Sequence, residues 1–564
     1  IVSKTNKIFE KQPVEIQNYS GFDLSHYNLG TLKCGTLTPV LVEPLVPGDK
    51  ISVGNLTQVD LPPLATNFYG RVDVKLEAFF VPYRILMQQW QKFMRYKNDQ
   101  ISQNYMVYSR LPSLKVPLTA CSPGSLLDYL GFKVSSTGSG SYAYVPNPLS
   151  LLAYHKIYDC WYRDKLIQKE VFVEESPATI TQANYLRNLP WFSIPGEVGE
   201  IEEGLLYQDI DFPSQHVFVP NINGDGTGTT LENNSKFNDG HIVWNLRQRN
   251  FAKDYFTTAT TQPQAGDPVT LRFNVPVNGE EPGDTTAGFT IASLRAANSL
   301  QKFVERNNLA GDDYADQIQA RFGVRPSDAA INYPIYLGNA SYDVYNRSIF
   351  QTGTAPEGGN NPFGSVGSEY GKASSMGKAS LIDNFMCTEH GLVMVLASLV
   401  PHSFYSTGTR KYLYASELAD FPEPLLASIG DEPIYKEELV GDLAGNSAFA
   451  KTTFGYTGRY SHVKYHDDEI HGLLRDGSSL ENFAIQRSFG SVLDVNLSTS
   501  FLQIPTNLMD QVMAASTGLS DFTAWYEMYF EVHKASKLPV FCIPTLGDEK
   551  DTHTEYIDKG GKRL

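Results

Sequence analysis

The sequence predicts a mainly β fold: one antiparallel barrel or sandwich whose first and last strands meet, with long excursions between strands. Three observations predict it. Val72, Val74, Leu76, Ala78 and Phe80 recur at every second residue, the period of a half-buried strand. Near the other end, Phe522, Ala524, Tyr526, Met528, Phe530 and Val532 alternate with Thr523, Trp525, Glu527, Tyr529, Glu531 and His533, so a second long strand buries one face. Between these ends lie helical patterns and stretches rich in Gly, Ser, Asn and Thr.

The elements follow in chain order. In "GTLTPVLVEPLVPGDKISV", short apolar bursts are cut by Pro39, Pro44 and Pro47, and "PGD" at 47–49 is a turn signal. In "RVDVKLEAFFVPYRILMQQWQKFM" the strand period gives way at Pro82 to helical spacing at Leu86, Trp90 and Phe93, which suits a strand leaving the barrel wall and a short helix across its corner. The stretches 135–141, 221–240 and 352–380 are expected to be loops. Two amphipathic helices are expected, one through Ile291, Leu294, Ala297, Leu300 and Val304, the other through Tyr314, Ile318 and Phe322 with Gly323 as its C-terminal cap. The apolar run "GLVMVLASLV" at 391–400 is too short to span a bilayer, which takes about 20 residues.

Composition bounds the class. The chain has 564 residues, beyond the roughly 250 to 300 at which a single core usually stops growing, so it has several domains or one core with long insertions. With 41% hydrophobic, 12% aromatic and only 19% charged residues it is a folded protein. Its 32 Tyr favour sheet and broad, partly polar contact surfaces. A net charge of −16 excludes a polycation that condenses nucleic acid unaided, though not a local basic face. Five scattered cysteines without a C-x-x-C pair argue against a disulfide scaffold or zinc ribbon and fit a reducing cytoplasm. The start lacks a signal-peptide pattern, and because the first residue is not Met, some N-terminal residues are expected to be missing.

No motif makes a convincing active site. "HDDEIH" at 466–471 is the most metal-like cluster, but its setting reads as a solvated turn. "GKASSMGKAS" lacks the phosphate-loop spacing, the Ser or Thr after Lys378 and a preceding strand, and reads as a flexible loop. "GDGTG" at 224–228 lacks the strand and helix of a dinucleotide site. There is no G-x-S-x-G elbow, and adjacent Glu174 and Glu175 would point to opposite faces of a strand. Neither an enzyme, a cofactor site nor a metal site is therefore expected.

The order of segments is more specific. "FDLSHYNLGTLKCGTLTPVLVEPLVPGD" followed by "VKLEAFFVPYRILMQQWQKFM" resembles the N-terminal signature of microvirus major capsid proteins, closest to the gokushovirus branch. "YDCWYRDKLIQ" at 158–168, with Trp161, Arg163 and Asp164, and "LRQRNFAKDYFTTATTQPQAGDPV" at 246–269 are similar to two further segments of that family. "SLQKFVERN", "ARFGV", "PIYLGNASYDV", "FGYTGRYSHVKY" and "LPVFCIPTL" follow in the family's order. The resemblance implies an eight-stranded antiparallel jelly-roll barrel with long, partly helical insertions, forming one domain over 1–564. Its core strands are expected mainly within 14–95 and 380–545, with insertions mainly within 96–379 and a candidate variable surface loop at 173–245.

The function implied is a structural capsid protein that self-assembles into a small icosahedral virion shell around circular single-stranded DNA, in the host bacterial cytoplasm, without a membrane. Implied partners are further copies of the chain, the packaged DNA, a small basic DNA-binding protein, a pilot protein, an internal scaffolding protein and a host cell-surface receptor. Lys92, Arg95 and Lys97, interleaved with aromatic residues, and Lys562 and Arg563 in the basic tail are candidate inner-face DNA contacts. The alternative is a β-sandwich carbohydrate-binding protein or glycan hydrolase.

Overall fold

The alternation at 72–80 becomes an eleven-residue strand, Val72–Pro82, and a helix, Tyr83–Leu86, begins at the next residue. Val72, Val74, Leu76, Ala78 and Phe80 all enter the main core, as their period requires. This computed structural model describes residues 19–64, 67–86, 90, 94, 114–117, 121–133, 142–145, 147–168, 246–265, 302, 333–350, 369–427, 429–441, 451–492, 495–513 and 522–538. The expected variable loop at 173–245 lies outside them, as do the two expected central helices apart from Lys302, which is helical.

In chain order the strands are β1 (Ser20–Asp23), β2 (His26–Leu32), β3 (Thr38–Leu45), β4 (Lys50–Asp60), β5 (Val72–Pro82), β6 (Leu114–Pro117), β7 (Tyr142–Val145) and β8 (Ile335–Asp343). There follow β9 (Tyr345–Phe350), β10 (Glu369–Met386), β11 (Gly391–Pro401), β12 (Phe404–Tyr405), β13 (Glu432–Tyr435), β14 (Thr453–Thr457), β15 (Asp468–Glu469) and β16 (Ala524–Ser536). One sheet runs β2-β16-β4-β10 and the other β3-β11-β5-β8, every pair antiparallel. These are the two four-stranded sheets of a jelly roll. β1 lengthens the first sheet beside β16, and β9 lengthens it beside β10. Among the described residues, the first strands thus pair with the last.

Two expectations change. β8, β9 and the start of β10 fall within 96–379, so the sheets begin about 45 residues upstream of 380. The segment "GKASSMGKAS", expected as a flexible loop, lies within β10, flanked by β4 and β9. Its small residues have a packing reason: the Tyr342 ring lies against Gly377, where a side chain has no room, and Ala373 and Ser375 are buried. A strand of small and polar residues carries no apolar alternation to announce it.

The sheets meet over a core to which β16 contributes Ala524, Tyr526, Met528, Phe530 and Val532. β11 is buried along all eleven residues. Its Val393, Val395, Ala397 and Leu399 face the other sheet, while Leu392, Met394 and Leu396 face a second core beneath the helix Leu149–Ile157. That double burial explains an apolar run without alternation. A third core, around Tyr255, Phe256, Tyr405, Ile434, Leu439, Phe454 and Phe501, lies in the segments that connect β11 to β16 and in 251–260.

Leu76 is fully buried and Leu29 on β2 is exposed. Leu76→Ala is expected to lower stability by about 2–5 kcal/mol in urea unfolding, and Leu29→Ala to change it by no more than about 0.5 kcal/mol.

Candidate functional site: a polar clamp over one sheet and an open face on the other

The covered sheet is held under its insertions by a clamp centred on Glu77. β5 alternation turns Glu77 away from the main core. Arg249 grips it from the loop 246–254, donating Nη1 to Oε2 at 2.5 Å and Nη2 to Oε1 at 3.1 Å. Arg249 also donates to Ser398 Oγ on β11 at 3.1 Å and lies over the Tyr162 ring, 5.1 Å from its centroid. The Tyr162 hydroxyl donates to Glu77 Oε2 at 2.5 Å. Burial, and after it the Glu77 charge, pushes that hydroxyl far above its ordinary pKa, so it stays a donor.

The residues around the clamp come from the two capsid-like segments at 158–168 and 246–269. Asn250 and Gln168 exchange side-chain hydrogen bonds at 2.9 and 3.0 Å, and Lys253 pairs with Asp164. Arg163 pairs with Asp159 at 2.8 Å and donates to Gln168 O at 2.9 Å. Trp161 donates Nε1 to Pro334 O at 2.9 Å while its ring packs against Phe79 and Tyr336. The two segments, some 80 residues apart in sequence, are therefore a single packed unit on β5.

Asp254 extends this unit into the third core. Its Oδ1 accepts the Phe256 and Thr257 amides at 3.0 and 2.7 Å, and its Oδ2 accepts the Tyr405 hydroxyl at 2.8 Å. Buried Arg487 donates to the same hydroxyl at 3.2 Å and to Phe501 O at 2.6 Å, its guanidinium 4.3 Å from the Phe251 ring centroid. Two carboxyls nearby are shifted. Glu438, accepting from the Tyr435 amide and the Tyr255 hydroxyl, is pushed up to about 7 by burial. Asp467, accepting from the Tyr255 amide, is pushed up to about 7 by burial and then by the charge of Asp254. All these groups are spent on one another; the arrangement holds a structure together.

"HDDEIH" is more ordered than the expected solvated turn. Asp468 and Glu469 form β15 and pair in parallel with β12, and Arg410 holds Glu469 at 2.5 and 2.7 Å. Among the described residues no three His, Cys, Asp or Glu side chains are grouped to hold a metal. Cys34, Cys121, Cys160 and Cys387 are free thiols.

The candidate DNA contacts Lys92, Arg95, Lys97, Lys562 and Arg563 lie outside the described residues. Of the segment around the first three, Trp90 is described and packs edge-on against Tyr83 and His390. The sequence reading missed the outward face of the sheet β2-β16-β4-β10-β9, although the Trp525, Glu527, Tyr529, Glu531 and His533 set on β16 was its signal. That face carries exposed Tyr27, Leu29, Leu56, Tyr345, Met376 and Trp525.

Removing one partner of a desolvated ion pair leaves the other charge uncompensated. Arg249→Met is expected to cost about 3–5 kcal/mol in urea unfolding, and Glu77→Met added to it to recover most of that loss. The two raised carboxyls set a pH trend. Between their ordinary pKa values, near 4 to 4.5, and about 7, the folded chain binds more protons than the unfolded one, so stability falls as pH rises. The melting temperature is therefore expected to fall from pH 5 to pH 7.5, and Asp467→Asn, which keeps an acceptor for the Tyr255 amide, to flatten that slope.

Comparison with known proteins agrees with the geometry. The sequence model of the family described as capsid protein (F protein) matches residues 13–189 and 283–546. The chain is 24% identical to capsid protein VP1 of Chlamydia phage 1, over 95% of this chain and 97% of that protein. It is 23% identical to capsid protein VP1 of Bdellovibrio phage phiMH2K and to that of Spiroplasma virus 4, in each case over 93% of this chain and 95% of the relative. These matches decide for the capsid reading over the carbohydrate-binding one. With two jelly-roll sheets, a family match over most of its length and capsid proteins as its relatives, the chain belongs to the capsid protein (F protein) family and is a structural protein of the virion.

Proposed function

We propose that the chain is the building block of a small icosahedral shell that encloses a circular single-stranded DNA genome, assembles in the cytoplasm of a bacterial host and turns over no substrate. The observation that carries this reading is the unequal treatment of the two sheets. One lies under insertions fixed by the Glu77–Arg249 clamp, so the extra chain length becomes surface for contacts between copies; interfaces of several thousand Å² are within reach of such insertions. The other sheet keeps an uncovered face.

An acidic chain of net charge −16 must place its positive charge locally, or receive it from another protein, to enclose DNA. Lys92, Arg95, Lys97, Lys562 and Arg563 are proposed inner contacts, and a small basic DNA-binding protein would supply the remaining charge. A pilot protein and an internal scaffold complete the proposed assembly set. The long segment 173–245 is the proposed variable surface loop, facing a host receptor.

Sedimentation and negative-stain imaging of the chain expressed with its neighbouring genes test this reading. Closed shells of uniform diameter are the expected result; a folded monomer that never assembles, scaffold present, contradicts it.

A further inference from the structure

We infer that Tyr255 is the bolt of a pH-sensitive lock: Asp467 and Glu438 grip it from its two ends while they hold their protons, and as pH rises through neutrality the third core opens locally more often while the two sheets stay closed.

Both ends of one buried residue are held by acids. Tyr255, 6% exposed, donates its amide to Asp467 Oδ1 at 3.2 Å and its hydroxyl to Glu438 Oε2 at 3.1 Å. It belongs to the insertion that Arg249 fixes on β5. Its two partners belong instead to the segments that connect β11 to β16: Asp467 immediately precedes β15, and Glu438 sits on the helix Glu437–Val440. Along with the bond from Tyr405 to Asp254 and the backbone pairing of Thr260 with Tyr456, these hydrogen bonds are part of the seam between the two pieces of chain.

Asp467 is crowded by a second carboxylate. The successive amides of Tyr255, Phe256 and Thr257 serve both: the first goes to Asp467, the next two to Asp254 Oδ1 at 3.0 and 2.7 Å. Asp254 is supported further by the Tyr405 hydroxyl at 2.8 Å, to which Arg487 also donates. Asp467 has no such support. Among the described residues it accepts from the Tyr255 amide alone and pairs with no cation. Its own strand adds the acids Asp468 and Glu469, and Arg410 and His471 both go to Glu469. The phenols of Tyr405 and Tyr465 face it as neutral groups, pushed up by burial.

Glu438 lacks a cation for a different reason. It accepts the Tyr435 amide at 2.8 Å besides the Tyr255 hydroxyl, but the cationic groups that face it, Lys411 and His462, both pair with Glu432 Oε1 at 3.2 Å. Lys411 is held further by Pro433 O at 2.6 Å, and the neighbouring Glu437 accepts the Thr452 amide at 3.1 Å.

Burial pushes both carboxyls up to about 7, with the charge of Asp254 as the second cause at Asp467. Once the seam opens, water returns each to its ordinary value, near 4 to 4.5. Closure therefore takes up protons: its advantage is complete below the ordinary values and is lost as pH rises through about 7. Between pH 6 and pH 8 the opening equilibrium rises about tenfold for one such group and about a hundredfold for two. The lock governs a surface as well as a core. Leu418 and Leu425, 89% and 86% exposed, stand on the stretch between β12 and β13, which Lys411 ties to Glu432.

Hydrogen exchange on the full chain, read peptide by peptide as protection factors corrected for the intrinsic rate at each pH, tests the lock. From pH 6 to pH 8, protection in peptides covering 251–257, 434–440 and 464–470 is expected to fall about a hundredfold, while peptides from β5, β11 and β16 keep theirs. Asp467→Asn with Glu438→Gln, which keeps an acceptor for Tyr255 at each end, is expected to hold that fall within about twofold, and either substitution alone to leave about tenfold. If the double variant does not fold, the single ones carry the test. Constant protection in the wild-type chain, or a fall of the same size in the variants, would overturn the proposal. So would a loss shared equally by β5, β11 and β16, since the whole chain would then be unfolding and no local lock would exist.

Discussion

A sheet that contributes β11 to the wall of this molecule must be covered on both faces. All eleven residues of β11 are buried, so Val393, Val395, Ala397 and Leu399 need one apolar partner surface and Leu392, Met394 and Leu396 need another. The opposing sheet supplies the first. Among the described residues the long segment between β5 and β8 supplies the second, through the helix Leu149–Ile157. The length of the chain follows from this requirement as much as from any need for contact area. The other sheet escapes it, because β16, β4 and β2 alternate inward apolar with outward mixed residues and need only one partner.

Covering a sheet with loops raises a polar cost, since loop backbone and charged side chains must be satisfied where water is scarce. Glu77 and Arg249 meet that cost as a two-pronged pair with Tyr162 and Ser398 saturating what remains. Asn250, Gln168, Asp164 and Lys253 then tie the two insertion segments to each other. The third core repeats the device with Asp254, Tyr405 and Arg487, and its Glu438 and Asp467, both pushed up to about 7, make it responsive to pH near neutrality.

β5 and β16 were legible in the sequence because each has one buried face, which imprints a period of two. The helix after Pro82 was legible because the period changes there. β11 shows only a continuous apolar run, since burial on both faces erases alternation, and β10 hides behind small and polar residues, among them Gly377, which makes room for Tyr342. The clamp could not be found by spacing at all: Glu77 and Arg249 lie 172 positions apart. What the sequence did offer was the pair of capsid-like segments, and the structure gives their likeness a physical basis, because Arg163, Asp164, Arg249 and Asp254 all build the same packed unit. The open face was half visible, as the outward residues of β16, but its exposed Tyr345 and Met376 come from β9 and β10, which the pattern did not announce.

On the proposed function, the insertions anchored over the sheet that holds β11 are the surface through which copies of the chain meet. A cryo-electron microscopy reconstruction of assembled, DNA-filled shells at a resolution that traces side chains tests this most directly. The segments 147–168 and 246–265, held by the Glu77–Arg249 clamp, should line the contacts between neighbouring copies. A reconstruction in which neighbouring copies touch without those segments would contradict it.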